Sequence, residues 1–313
     1  DLVLSLFEEH QFNYVYHLAA YAAEGLSHFI RRFNYNNNLI GSINLINASI
    51  KFKVECFVFT SSIACYGALE PPMRESDYPQ PEDPYGVAKF AVEQDLKTAH
   101  EMFGLNYVIF RPHNVYGEYQ NLGDRYRNVV GIFMNQLMKG EELTVFGDGM
   151  QTRAFSYIGD VAPQIASSVN IPEAINEIFN IGADKEYTVR ELAETTQKVM
   201  GLEGKLRFLE ARNEVVHAYA DHSKAKQVFG QDRFTTLEEG LQKLLEYKES
   251  PETFENFVNN PFYQQLTKHK TFMRVSQAPS YLVNTTFSSI LIAVLKGQRN
   301  GNLSFEEIIN ALP

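Results

Sequence analysis

The chain has 313 residues, of which 44% are hydrophobic and 13% aromatic, so it can bury a sizeable core in one large domain or two smaller ones. Its net charge of −10 makes nucleic acid and anionic membranes poor partners on bulk electrostatics. The two cysteines, Cys56 and Cys65, form neither a disulfide framework nor a metal-ligand spacing. The most apolar run, 287–295, is far shorter than the roughly 20 residues of a membrane span. We therefore expect a cytoplasmic protein without a membrane partner.

Five segments near the start of the chain alternate between strand and helix patterns. β-branched and aromatic residues predict strands at 13–19, 54–62 and 105–112, and helical periodicity predicts helices at 36–52 and 85–103. Such alternation is typical of βαβ units and a parallel sheet. In these sheets ligands bind at the carboxyl ends of the strands, which is where HLAA, TSS and RPHN fall.

Beyond residue 113 the alternation is less regular. Helices are predicted at 128–139 and 191–201, and a short strand at 143–146. We predict one domain over residues 1–113, to which later elements return, and a second region over 114–250. Residues 251–313 are rich in Asn, Gln, Ser and Thr, and we interpret them as an appended segment of unknown role.

Three motifs point to one site. Ser62 ends the second predicted strand, Tyr85 and Lys89 are four residues apart on the following helix, and RPHNVYG ends the third strand. A YxxxK pair by itself is more often a helix residue with a charged neighbour than a catalytic pair. Together with the two strand-end motifs, it favours a catalytic tyrosine over a purely structural one.

The order HLAA, SSxxxYG, YxxxK, RxxNxYG, GDGxQxR and FNIG resembles the extended short-chain dehydrogenase/reductase family, in its NAD-dependent nucleotide-sugar epimerase/dehydratase branch. The resemblance covers roughly residues 1–235 and implies an α/β fold. That fold would be a partial doubly wound, Rossmann-like parallel sheet that lacks its first strands, with a smaller nucleotide-sugar binding region. The departure is the absence of GxxGxxG or GxGxxG, the turn that holds the pyrophosphate of the cofactor.

The resemblance implies roles for named residues. Tyr85 would be the base, Lys89 would lower the pKa of Tyr85 and bind the nicotinamide ribose, and Ser62 would bind the reacting hydroxyl. The implied contacts to NAD are His17, Ala19 and Ala20, chiefly through the backbone, with Asn38, Ser61, Tyr85 and Lys89. The implied contacts to a UDP-sugar, all at or near its diphosphate, are Asn114, Asn128, Arg153 and Arg212.

The implied activity is NAD-dependent 4-epimerisation of a nucleotide sugar, of the UDP-glucose/UDP-galactose type, through a 4-keto intermediate. Dehydratases of this branch have an acidic pair at the positions of Ile63 and Ala64, and a 3,5-epimerase would have a cysteine one residue before Cys65. Two alternatives stay open: a non-catalytic remnant that binds nucleotide sugars, and a UDP-uronate decarboxylase. The family also suggests a homodimer through 36–52 and 85–103.

Other motifs favour ordinary structural roles. His17 reads as a packing residue at a strand end, and Asp160 as the cap of a helix. His217 and His222 have no further ligand at metal-binding spacing, so we predict no metal site. Residues 296–307 have the glycine and glutamate spacing of a calcium loop but lack its first carboxylates, and a helix start explains them equally well.

Overall fold

The three segments predicted as strands lie side by side in one parallel sheet. In the computed structural model, which describes residues 2–120, 122, 128–211 and 215–249, they are β1 (Tyr14–His17), β2 (Cys56–Thr60) and β3 (Asn106–Pro112). The later strands are β4 (Val115–Tyr116), β5 (Leu143–Phe146), β6 (Thr152–Ala154), β7 (Ser156–Tyr157), β8 (Glu177–Ile181), β9 (Glu186–Thr188), β10 (Leu206–Leu209) and β11 (His217–Ala218). The order of the main sheet is β1-β2-β3-β8, all parallel, which confirms the predicted α/β fold.

Ten α-helices pack around these strands in the described part of the chain. They are α1 (Leu2–His10), α2 (Glu24–Ser27), α3 (Arg31–Tyr35), α4 (Gly41–Lys51), α5 (Pro84–Phe103), α6 (Val129–Met138), α7 (Ile158–Ser167), α8 (Val189–Met200), α9 (Ser223–Phe229) and α10 (Leu237–Glu249). None of the helices in these residues has the length and apolarity to cross a membrane.

Helix α5 has strong start and stop signals. Asp83 caps its N-terminus by accepting hydrogen bonds from the backbone N–H groups of Tyr85 and Gly86, and Pro84 occupies the first turn. Gly104 ends it in the left-handed conformation, with φ of 74°. The predicted helix at 36–52 instead begins earlier, at Arg31, and passes through a π-helical turn at Asn36–Ile40 before α4.

The main sheet is covered on both faces, as a parallel sheet requires. Alternate residues of β2 point to opposite sides: Phe57 and Phe59 pack on the layer of α1, α4 and α5, and Val58 packs on the layer of α7 and α9. A second core joins α6, α8 and α10 with the small sheets that contain β5 and β7. The division at residue 113 remains a prediction, although β8 and α9 do return to the main sheet.

Asp160 does not cap a helix. Helix α7 begins at Ile158, three residues earlier than a cap at Asp160 requires, and Asp160 lies in its first turn. The carboxylate of Asp160 accepts hydrogen bonds from the backbone N–H and hydroxyl of Thr235, at 2.7 and 3.1 Å. It therefore ties α7 to the segment before α10.

Candidate active site

The carboxyl ends of β1, β2 and β3 form one edge of the main sheet. Strand pairing places His17 opposite Phe59, and Thr60 opposite Phe110. The backbone N–H of Ser61 extends this pairing by donating to the carbonyl of Phe110 at 2.7 Å. The segments that contain HLAA, TSS and RPHN therefore leave the sheet at the same edge.

Ser62 and Tyr85 meet just beyond this edge. Ser62 begins a turn of 3₁₀-helix, Ile63–Tyr66, by accepting the backbone N–H of Ala64 at 3.1 Å. Its hydroxyl also lies close enough to the phenol of Tyr85, which is buried at the start of α5, to favour the ionised form of that phenol. The two hydroxyls predicted to act on one substrate oxygen are thus neighbours.

Lys89 lies one helical turn after Tyr85 and is 2% exposed. Its ammonium donates to the carbonyl of Thr60 at 2.7 Å and lies 4.7 Å from the ring centroid of Phe59. The same nitrogen lies 5.9 Å from the ring centroid of Tyr85. This side chain therefore holds a cation between the end of β2 and the tyrosine.

Gly86 allows the start of α5 to approach the 3₁₀ turn. A Cβ at this position would lie 2.5 Å from the carbonyl oxygen of Ala64 and 3.1 Å from the side chain of Pro81. The first contact is with rigid backbone, so any larger residue would push α5 away from the turn that carries Ser62. The glycine in the sequence YGVAK thus has a physical role in bringing Tyr85 to Ser62.

Burial controls the electrostatics of this pair. It raises the pKa of the Tyr85 phenol strongly, with the carboxylate of Glu24 acting in the same direction and the Ser62 hydroxyl acting against it. Burial also lowers the pKa of Lys89 to about 8. The predicted lowering of the Tyr85 pKa by Lys89 is therefore not the dominant effect in the protein alone. Phenolate formation requires additional positive charge near the ring.

The side chains of three of the predicted cofactor residues form hydrogen bonds with other residues of the protein. The Nε2 atom of His17 lies 2.7 Å from the Ser42 hydroxyl, and burial lowers the pKa of His17 to about 3. Asn38 accepts from the N–H of Tyr21 at 2.8 Å and donates to its carbonyl at 3.1 Å, which fixes the loop after β1. Ser61 donates to Glu93 at 2.5 Å. Ala19 and Ala20 lie half-buried in the loop that Asn38 fixes.

The predicted substrate residues lie on two segments that meet at Ala154. Asn114 donates to the carbonyl of Ala154 at 3.2 Å, and Arg153 directly precedes it. The guanidinium of Arg153 donates to the carbonyls of Thr152, Val215 and Val216. Asn128 caps α6 and donates to the carbonyl of Val115 at 2.7 Å. Arg212 lies outside the described residues, so the structure brings together Asn114 and Arg153 and does not address Arg212.

Sequence reasoning missed a buried ion pair beneath the site. Arg111, 1% exposed in β3, donates from Nε and Nη2 to Glu93, which is fully buried on α5, at 2.9 and 2.5 Å. Glu93 also accepts from Ser61, next to Ser62, and the guanidinium lies 4.6 Å from the ring centroid of Tyr66. The sequence offered one signal for this pair. Strand β3 and helix α5 each carry a charged residue on an otherwise apolar, buried face, and a buried charge needs a partner.

Metal ligands do not cluster in the part of the chain that the structure describes: it contains no group of three or more His, Cys, Asp or Glu suited to a metal ion. His217 instead bonds the hydroxyl of Thr152 at 2.8 Å, and His222 pairs with His113. The calcium-like sequence at 296–307 lies outside the described residues.

Known proteins resemble this chain in sequence and in fold. Residues 1–182 match the NAD dependent epimerase/dehydratase family. A putative UDP-glucose 4-epimerase of Methanocaldococcus jannaschii is 35% identical over 67% of this chain and 68% of its own length. The crystal structure of Thermotoga maritima UDP-glucose 4-epimerase with UDP-glucose is similar, with a TM-score of 0.75 and 32% identity over 82% of both chains. Bacillus cereus UDP-glucuronic acid 4-epimerase in complex with UDP-glucuronic acid and NAD has a TM-score of 0.73 and 27% identity over 79% of both chains.

The family match covers more than half of the chain, and it includes Ser62, Tyr85 and Lys89 at the edge of the parallel sheet. The similar proteins act on more than one sugar, so they define the class of reaction more closely than the substrate. This chain belongs to the NAD-dependent epimerase/dehydratase family.

Proposed function

We propose that this chain is a nucleotide-sugar 4-epimerase of the UDP-glucose/UDP-galactose type. The observation that carries the proposal is the meeting of Ser62 and Tyr85 beside the buried ammonium of Lys89. These groups can bind one sugar hydroxyl, take its proton and return it. The similarity to 4-epimerases supports the choice of reaction, and the sugar and nucleotide are part of the proposal.

The residues at the carboxyl edge of the sheet fit the dinucleotide that the family uses. Two buried polar atoms there, Nδ1 of His17 and Oγ1 of Thr60, lack a hydrogen-bond partner among the described residues. Lys89, Tyr85 and the backbone of Ala19 and Ala20 would hold the cofactor. When bound, NAD supplies a hydride acceptor and donor for carbon 4 of the sugar, and its oxidised ring adds positive charge.

Tyr85 would exchange the proton of the sugar 4-hydroxyl. Its burial makes an isolated phenolate costly, so the positive charges of Lys89 and of the oxidised nicotinamide ring have to compensate together. Ser62 lies beside the phenol and can hold the same sugar oxygen while the proton moves. This arrangement gives Lys89 an electrostatic role and leaves proton transfer to the two hydroxyls.

The residues around the turn support epimerisation over related reactions. Ile63 and Ala64 offer no acid or base to eliminate water from the sugar. Cys65 is fully buried and contacts Ser61 and Glu93, at 3.2 and 3.5 Å, and burial strongly raises the pKa of its thiol. It is therefore unsuited to act as an acid or base on carbon 3 or carbon 5.

The test combines cofactor content, binding and turnover. We expect near-stoichiometric NAD in the supernatant of denatured protein, binding of UDP and interconversion of UDP-glucose and UDP-galactose. Tyr85→Phe should lower kcat by at least about 100-fold, the usual size of a general acid–base contribution, and leave UDP affinity within about twofold. Tyr78→Phe is the matched control, because the side chain of Tyr78 is 75% exposed, whereas that of Tyr85 is buried.

Three outcomes contradict the proposal. Turnover that survives Tyr85→Phe would remove Tyr85 from the chemistry. A chain that binds UDP but carries no NAD and converts no sugar would be a nucleotide-sugar binding protein. Release of carbon dioxide from UDP-glucuronate, without 4-epimerisation, would identify a decarboxylase.

A further inference from the structure

A buried pair of histidines lies behind the predicted diphosphate residues. His113 follows β3 and His222 precedes α9, and each is 2% exposed. Their Nε2 atoms are 2.8 Å apart, although the residues are separated by 109 positions. The Nδ1 atom of His113 lies 3.1 Å from the carbonyl of Ala154, and Nδ1 of His222 lies 3.1 Å from the carboxylate of Asp184.

The partners of the two rings fix their protons. The carbonyl of Ala154 can only accept, so Nδ1 of His113 carries a hydrogen. The carboxylate of Asp184 likewise accepts the Nδ1 hydrogen of His222. The contact between the rings needs one hydrogen, which His222 donates to a neutral His113. Asp184 therefore holds the His222 ring at its Nδ1 atom, and its carboxylate also binds Lys226 at 2.5 Å.

This arrangement keeps His113 neutral. Burial lowers the pKa of His113 to about 3, and the neighbouring His222 adds to the effect. The other charged groups near the pair are Asp184, Lys226 and Asp221, the last of which lies 3.7 Å from Arg74. The pair is thus a directed chain of hydrogen bonds from His222 to His113 to Ala154.

The rings have little room to move. Gly182 packs directly on His113: a Cβ there would lie 2.8 Å from Nε2 of His113, and the residue has φ of 149°. The ring of Phe234 lies 6.3 Å from that of His222, between centroids. A packed environment of this kind holds each ring in one orientation.

The chain of hydrogen bonds ends where Asn114 and Arg153 meet. The carbonyl of Ala154 accepts from both His113 and Asn114, at 3.1 and 3.2 Å. The backbone N–H of Ser156 donates to the carbonyl of Asn114 at 3.2 Å, which closes the connection between the two segments. The hydrogen bond of His113 therefore adds to the direct bonds that hold Asn114 against the strand that carries Arg153.

We propose that His113 and His222 are positioning residues for the diphosphate end of the nucleotide sugar, because they lock together the segments of Asn114 and Arg153. The inference rests on the proposed function for its ligand. It places the pair outside the proton and hydride chemistry at Tyr85. Loss of the pair should therefore weaken nucleotide-sugar binding and spare the chemical step.

The experiment compares apolar and hydrogen-bonding replacements in the full chain. His113→Leu and His222→Leu should raise the Kd for UDP and the KM for the UDP-sugar by about 10-fold or more, with kcat within about threefold and NAD content unchanged. His113→Asn keeps a donor toward Ala154, and His222→Gln keeps one toward His113, so each should recover most of the affinity. Tyr16→Phe, which removes a hydrogen bond from a buried tyrosine to Ala166, controls for a general loss of stability.

UDP binding separates this inference from the proposed function. If wild type binds UDP and the leucine variants lose affinity, the inference stands even where no sugar is converted, and only the proposed function fails. If the leucine variants bind UDP as wild type does, the positioning role is wrong. It is also wrong if wild type does not bind UDP, or if Tyr16→Phe loses as much affinity as the leucine variants at equal Tm.

Discussion

At the scale of single residues, the candidate site combines a phenol and an ammonium that are both buried. Burial opposes charge on each, and it shifts the pKa of Tyr85 upward and that of Lys89 downward. Lys89 gains one hydrogen bond and an aromatic contact in return. The site is therefore an unfavourable place for an ammonium in the absence of a ligand. The lowered pKa of Lys89 can be measured without any substrate.

The titration of Lys89 should affect stability above neutral pH. Its pKa is about 8 in the folded chain and 10.5 in the unfolded one. Between these values the unfolded chain holds a proton that the folded chain has released. The free energy of unfolding should then rise with pH, by up to about 1.4 kcal/mol per pH unit.

The measurement is urea unfolding at pH 7.5 and 9.5 of wild type and Lys89→Met. The free energy of unfolding of wild type minus that of the variant should increase by about 1–2 kcal/mol between the two pH values. Contributions from phenols and thiols cancel in this difference. The same substitution at Lys97, half-buried on the same helix, is the control. A difference that does not change with pH would mean that Lys89 is not desolvated.

At the scale of elements, the pair Glu93–Arg111 joins α5 to β3 beneath the site. Both charges are buried, and each satisfies the other at two atoms. Removing one partner leaves an uncompensated buried charge, whereas removing both leaves an apolar contact. The pair therefore fixes how α5 lies on the sheet more than it adds stability.

We expect Glu93→Met and Arg111→Met each to lower the free energy of unfolding by about 3–5 kcal/mol. The double replacement Glu93→Met with Arg111→Met should recover most of this loss, because no buried charge remains. Denaturant unfolding of the three variants forms a double-mutant cycle. Additive losses, with the double variant the least stable, would show that the two side chains do not interact.

The same elements show what local sequence could predict. Strands β1, β2 and β3 and helix α5 follow from apolar runs and caps that lie within the elements themselves. The π-helical turn at Asn36–Ile40 and the two- and three-residue strands such as β4, β6 and β7 depend on partners far along the chain. Strand β8 could be recognised in the sequence only through the FNIG motif, because its outer residues are too polar to form an apolar run.

The residues of the candidate site also fall into two groups: those that local sequence could predict and those that it could not. Ser62, Tyr85 and Lys89 could be predicted, because their spacing along one strand and one helix defines their geometry. The pairing of His113 with His222 spans 109 residues, and no local pattern marks it. The internal hydrogen bonds of Asn38 and Arg153 were equally hidden, since a residue type does not reveal which partner it binds.

At the scale of the whole molecule, buried neutral histidines should make the chain sensitive to acid. The pKa values of His17 and His113 are lowered by burial from 6.5 to about 3. The contribution of these two histidines to the free energy of unfolding is fully present above pH 6.5. It is lost progressively as the pH falls toward 3, because the unfolded chain then binds protons that the folded chain does not bind.

From pH 7 to pH 5 the free energy of unfolding should fall by about 2–4 kcal/mol through these two residues. The variant His17→Gln with His113→Asn should show a smaller fall over the same interval. Asp184, whose pKa is lowered mainly by its bond to His222, titrates below this range and does not interfere. An equal fall in wild type and variant would assign the acid sensitivity to other groups.

Helix α5, which is 20 residues long and begins directly after its cap Asp83, carries the phenol, the ammonium and the buried Glu93. Their relative angles depend on the residue count between them, since each residue turns an α-helix by about 100°. One residue inserted between Tyr85 and Lys89 would leave the helix intact, and yet it would rotate the ammonium and Glu93 away from the phenol and Arg111 together. The number of residues that separate these groups along α5 is thus itself part of the site.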